Sequence, residues 1–109
     1  MLKTLLMTGA AGAVGTGLRP MLKAIAERVV LSDLQEIADL APHESSRPCE
    51  LGDAKAVRDL LEGVDGVIHL GGISVEKPWE LVLNGNIVGC YNLFEAARHN
   101  GKPRIVFAS

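Results

Sequence analysis

At 109 residues, with 48% hydrophobic and 22% charged side chains, the chain has the composition of one α/β domain with a modest core. A formal net charge of −2, with no aromatics interleaved among Lys or Arg, argues against a nucleic-acid-binding face. No run approaches the roughly 18 apolar residues of a membrane span, and neither the two cysteines (Cys49, Cys90) nor the three scattered histidines (His43, His69, His99) have metal-ligand spacing, so the chain reads as cytoplasmic, with free thiols and no metal site.

Leu2 to Met7 is mostly apolar and predicts a first strand buried on both faces. It is too short and too poor in positive charge to be a signal peptide. Thr8-Gly9-Ala10-Ala11-Gly12-Ala13-Val14-Gly15 follows directly, a G-x-x-G-x-x-G turn between a strand and a helical pattern. That layout is the one that binds nucleotide phosphates. Gly9 permits a sharp exit from the strand, Gly12 leaves room for a pyrophosphate, and Gly15 allows the helix to lie close. The free N–H groups and dipole of the helix start favour anions. A P-loop would need Lys-Ser or Lys-Thr after its last glycine, whereas Leu18-Arg19 follow Gly17.

The first helix is expected from Ala13, with Val14, Leu18, Met21, Leu22 and Ile25 on its inner stripe and a kink or tight turn at Pro20. Val29 to Leu31 predicts the second strand. Asp33, just beyond it, can accept hydrogen bonds from ribose hydroxyls and would repel a 2′-phosphate, which favours NAD over NADP. It can equally cap the turn, or do both. Glu36 to Pro48 reads as a loop or short helix leading to a minor third strand near Pro48–Leu51.

Asp53 is placed to cap a helix over Ala54 to Leu61, which Gly63 ends. Val67 to Leu70 predicts the fourth strand, with His69 read as a packed core residue, and Gly71-Gly72 again permit close approach of a ligand. From Trp79 a helical pattern runs to about His99, with Leu83, Ile87, Cys90, Tyr91, Phe94 and Ala97 facing inward and a stop at Asn100-Gly101. Arg104 to Ala108 is a fifth strand. The whole predicts a doubly wound, Rossmann-like parallel sheet in the order 3-2-1-4-5, a single nucleotide-binding domain over 1–109. Its fifth strand would be an uncovered apolar edge, so either a second copy of the chain or the remainder of a longer protein is expected to cover it.

The Gly-rich turn resembles that of the extended short-chain dehydrogenase/reductases, the NAD-dependent epimerase/dehydratase superfamily. So do Gly66-Val67-Ile68-His69-Leu70-Gly71-Gly72, Gly85-Asn86-Ile87-Val88-Gly89, Tyr91-Asn92-Leu93-Phe94-Glu95-Ala96-Ala97 and Arg104-Ile105-Val106-Phe107-Ala108-Ser109. Within that superfamily, His69 to Pro78 is most similar to the uronate dehydrogenases, which oxidise hexuronic acids at C1 to aldarolactones.

This resemblance implies NAD as cofactor and a sugar acid as substrate. Gly9, Gly12, Ala13 and Val14 would contact the pyrophosphate, and Asp33 with Leu34 the adenosine ribose. Glu50 and Leu51 fall where the family holds adenine, with Glu50 replacing the usual aspartate. Leu70, Gly71 and Gly72 would line the nicotinamide side, Asn86 would lie near the cofactor, and Ser74 would reach the sugar acid. The family's catalytic Tyr-x-x-x-Lys is absent from the 109 residues, because Tyr91 is followed four places later by Glu95. No catalytic residue is therefore assigned within the chain. The open readings are the cofactor-binding part of such an enzyme, a non-catalytic NAD-binding module, or part of another NAD-dependent nucleotide-sugar epimerase or dehydratase.

Overall fold

The computed structural model describes residues 1–70, 88–101 and 103–107. Its elements are β1 (Leu2–Thr8), α1 (Ala13–Leu18), a 3-10 segment (Arg19–Ala24), β2 (Ala26–Ser32), β3 (Glu44–Ser46), α2 (Ala54–Leu60), β4 (Gly66–His69), α3 (Gly89–His99) and β5 (Arg104–Phe107). The five strands form one sheet in the order β3-β2-β1-β4-β5, with every pairing parallel. This is the expected topology. It follows from strands alternating with crossovers that wind to both faces of the sheet.

β1 lies at the centre, and the alternation of its side chains divides the core in two. Leu6 points toward α2 and α3, joining Val57, Leu60, Leu61, Val64, Val67, Leu93, Ala96 and Ala97. Leu5 and Met7 point the other way, toward Leu22, Ala26, Val29 and Leu31. The ends of α2 and α3 are set by local chemistry. Asp53 Oδ1 accepts from Ala56 N at 3.1 Å and caps α2. Beyond its end, Gly63 takes φ +76, a left-handed conformation that suits glycine. Asn100 Nδ2 donates to Ala96 O and Arg58 O, so the stop of α3 is also tied to α2.

Three expectations are corrected. The first helix is short: α geometry ends at Leu18 and a 3-10 segment carries Pro20 in its first turn. A 3-10 segment advances 120° per residue, so a stripe drawn at helical spacing drifts off the core. Leu22 is buried, but Val14, Met21 and Ile25 are exposed. The third strand lies at Glu44–Ser46, ahead of Pro48–Leu51. It is a polar edge strand recruited through its backbone against Val29, Val30 and Leu31, and so it carries no apolar alternation. Chain pairing continues past it, with Arg47 N donating to Leu31 O and Cys49 N to Asp33 O. On α3 the buried side is Gly89, Asn92, Leu93, Ala96 and Ala97, whereas Tyr91 and Phe94 are 65% and 51% exposed. The expected elements before Val88, including Trp79, Leu83 and Ile87, lie outside the described residues.

Candidate functional site: a nucleotide crevice at the ends of β1 and β2

The carboxyl ends of β1 and β2 bring together the two sequence signals that belong to different segments. Gly9 leaves β1 at φ +67, and Gly12 N donates to Gly9 O at 3.1 Å, closing a tight turn. Ala10 N donates to Ser32 O, and Ala11 N to Asp33 Oδ2 at 2.9 Å. The other carboxylate oxygen of Asp33 accepts from Leu34 N at 2.8 Å. Asp33 therefore caps its own turn and pins the Gly-rich loop.

The glycines divide their work. A Cβ on Gly15 would stand 2.7 Å from Gly9 O and 2.9 Å from both Ala10 Cα and Ala10 O, all backbone atoms. Gly15 is thus required by the fold, against the turn itself. A Cβ on Gly12 would meet only Gly9 O, at an ordinary 3.4 Å, so internal packing leaves that position free. The N–H groups of Ala13 and Val14 stand in the first turn of α1, where no intrahelical acceptor exists. Because α1 has six residues, attraction for an anion rests on these N–H groups more than on a helix dipole.

Around the crevice, Leu34 and Glu50 are exposed and Leu51 half-buried. Glu50 Oε1 accepts from Gly52 N at 3.0 Å, which holds the turn leading to Asp53. Leu51 O accepts from Asn92 Nδ2 at 2.9 Å. This buried asparagine links α3 to the turn after Glu50, and the sequence reading passed over it. A polar residue in the buried stripe of α3 was the available signal.

On the opposite wall, Leu70 N donates to Thr8 O and to Thr8 Oγ1 at 3.2 and 3.1 Å. Thr8 Oγ1 is also 2.6 Å from His69 Nδ1, and Cys90 Sγ lies 3.6 Å from His69 Nε2. His69 is 3% exposed, and burial pushes its pKa down, toward the neutral ring. It is a packed residue, as expected, and it fixes the mouth of the crevice. Burial raises both Cys49 and Cys90 above the usual thiol range. Gly71, Gly72, Ser74 and Asn86 lie outside the described residues. Among the described residues no group of His, Cys, Asp or Glu could hold a metal ion, and no helix is long and apolar enough to cross a membrane.

Residues 5–109 match the model of the NAD dependent epimerase/dehydratase family. The chain belongs to that family. Among its relatives, the uronate dehydrogenase of Agrobacterium fabrum is 54% identical over 108 residues, covering 99% of this chain and 41% of that protein. Uronate dehydrogenase of Pseudomonas putida is 50% identical over 106 residues, covering 96% and 40%. Two solved structures agree. Glucuronic acid dehydrogenase from Chromohalobacter salexigens superposes with a TM-score of 0.96 at 56% identity, over all of this chain and 41% of that one. A Y136A mutant of the Agrobacterium tumefaciens uronate dehydrogenase, complexed with NAD, gives 0.95 at 53% identity, again over all of this chain and 41% of that one. This epimerase/dehydratase-family chain thus spans about two fifths of the length of the relatives it matches.

Proposed function

We propose that the chain is the cofactor-binding, N-terminal part of an NAD-dependent uronate dehydrogenase that oxidises a hexuronic acid at C1 to an aldarolactone. The observation that carries the cofactor reading is the pairing of Asp33 with the Gly-rich loop, next to a Gly12 whose missing Cβ the fold itself does not need. A pyrophosphate at Gly9, Gly12, Ala13 and Val14 would meet the N–H groups of Ala13 and Val14 and, at the two glycines, no side chain bulk. Asp33, already accepting from two backbone N–H groups, keeps further lone pairs for ribose hydroxyls. Its charge disfavours a 2′-phosphate. Leu34, Glu50 and Leu51 would border the adenosine, and Leu70 with Gly71 and Gly72 the nicotinamide half.

When bound, NAD supplies the hydride acceptor. The chain's own residues bind and orient it, and Ser74 is proposed to reach the sugar acid. The 109 residues contain a single tyrosine, Tyr91, without a lysine four places on. General-base chemistry of the Tyr-x-x-x-Lys type therefore has no base among them, and we expect the chain alone to be inactive. The uronate substrate is supported by identities of 46–54% to three uronate dehydrogenases. We also propose that further protein covers β5, as the remainder of a longer chain or as a second copy. Phe94 is exposed beside a shallow groove that it lines with Ala97, Arg98, Pro103 and Ile105, and Val106 is exposed on the other face of β5. The unpaired cysteines fit a cytoplasmic location.

Calorimetric titration with NAD and NADP tests the cofactor reading, and binding of NAD ahead of NADP is the expected result. Glucuronate oxidation by a chain extended through the Tyr-x-x-x-Lys segment tests the substrate. If the extended chain stays inactive toward uronates but still binds NAD, the substrate assignment fails and an epimerase or dehydratase relative becomes the better reading.

A further inference from the structure

Between neighbouring parallel strands of a doubly wound sheet, a crossover helix ordinarily satisfies its own backbone. The connection from Asp33 to His43 contains no helix, so its peptide groups need partners from elsewhere. Besides Asp33, which accepts from Leu34 N, three side chains supply partners. Ser46 Oγ accepts from Ile37 N and Glu44 Oε1 accepts from Ala41 N, both at 2.8 Å. Arg19 Nη2 donates to the carbonyls of Ala38 and Asp39 at 3.2 and 2.8 Å.

Arg19 also grips Glu44 with two parallel bonds, Nε to Oε2 and Nη2 to Oε1, each 2.8 Å. The two side chains are 21% and 4% exposed. Their hydrogen bond raises the Arg19 pKa and lowers that of Glu44, so both stay charged. A planar fork of this kind is beyond a lysine. Asp39 sits at φ +54, the one left-handed non-glycine residue among those described, and its carbonyl is an atom that Arg19 clasps. Aspartate tolerates this conformation better than most residues, at a modest cost that the clasp offsets.

The clasp joins two segments that both begin at the crevice. Arg19 opens the 3-10 segment that continues α1 from the Gly-rich loop, and the loop it holds starts at Asp33 and Leu34. We infer that the Arg19–Glu44 pair is a specificity-setting latch, which keeps the Asp33–His43 connection against the first helical layer so that Asp33 and Leu34 hold the position that admits a ribose 2′-hydroxyl and refuses a 2′-phosphate. The inference rests on the cofactor reading above. Arg19 acts as a positioning residue, through the loop. Its charge is committed to Glu44 in an acidic neighbourhood that includes Asp39, which leaves it unavailable to a phosphate.

The test is titration of NAD and NADP into the 109-residue chain and into Arg19→Gln, Arg19→Lys and Glu44→Gln, with thermal unfolding recorded for each. The expected result is NAD binding weakened about tenfold in Arg19→Gln and a NAD:NADP affinity ratio narrowed about threefold or more in both Gln variants, the scale of 0.6–1.4 kcal/mol. Arg19→Lys, which can keep the ion pair but not the fork, should fall between. A loss of stability alone would weaken both dinucleotides equally and leave the ratio in place. An unchanged ratio in folded Arg19→Gln and Glu44→Gln overturns the latch while the cofactor reading stands. If Arg19→Gln does not fold, an unchanged ratio in Arg19→Lys and Glu44→Gln overturns it equally. Absence of NAD binding by the unsubstituted chain overturns the cofactor reading and the latch with it.

Discussion

The two edges of the sheet are finished to different degrees. On the β1–β2–β3 side, polar groups close on one another: Asp33 on the Gly-rich loop, Arg19 on Glu44 and the loop carbonyls, Ser46 on Ile37. On the α3–β5 side, apolar side chains lie exposed: Tyr91 and Phe94 on α3, and Val106, at 61%, on the face of β5 opposite Ile105. An edge whose hydrogen bonds are satisfied locally is ready to hold a small ligand. An edge that leaves apolar surface uncovered calls for more protein. The difference sets the proposed cofactor-binding half apart from the edge that we propose further protein covers.

The largest expected effect breaks the first half selectively. Gly12→Val should abolish NAD binding, because its methyls would occupy the proposed pyrophosphate space, while the melting temperature changes little. Gly15→Ala should do the reverse in kind. Its Cβ would collide with backbone, destabilising the fold by about 1–3 kcal/mol, measurable by denaturant unfolding. If Gly12→Val instead unfolds the chain and Gly15→Ala is silent, the division of labour between the glycines is wrong.

Next in size, Asp33→Ala should narrow the preference for NAD over NADP and cost about 1 kcal/mol of stability through the loss of its two backbone partners. An unaltered cofactor ratio would leave Asp33 as a turn residue only.

A smaller effect is expected at His69. Burial lowers its pKa in the folded chain, so the unfolded chain, near the ordinary value of about 6.5, binds the proton more readily. The stability it contributes is therefore complete above about pH 6.5 and is lost as pH falls below that value. Unfolding free energies measured between pH 5 and 8 should show this slope, and His69→Gln should flatten it. The same slope in the variant would remove His69 as its source.

What was legible in the sequence follows from where the signal resides. The Gly-rich turn, Asp33, the Asp53 cap and the strand order are written in residues whose backbone or capping chemistry is local, and each was found. The third strand was misplaced because an edge strand is chosen by hydrogen bonding to its neighbour, and Glu44-Ser45-Ser46 carry no hydrophobic pattern to mark it. The inner stripes of α1 and α3 were misassigned at Val14, Met21, Ile25, Tyr91 and Phe94, because periodicity assumes a regular helix with a covered face. The 3-10 segment at Arg19–Ala24 breaks the first assumption and the open α3–β5 edge the second. The Arg19–Glu44 clasp spans 25 positions and leaves no short-range trace.

The smallest effect concerns the other half of the comparison. Val106→Thr should change stability by less than about 0.5 kcal/mol, since its side chain faces solvent. It should, however, reduce self-association in sedimentation. A large loss of stability would mean that this surface is packed within the chain itself.

Binding of NAD in the β1–β2 crevice is best tested by calorimetric titration of NAD into the unsubstituted chain, beside folded Gly12→Val. One-to-one binding by the first and none by the second is expected. No heat of binding from the unsubstituted chain, or equal affinity in both, would contradict it.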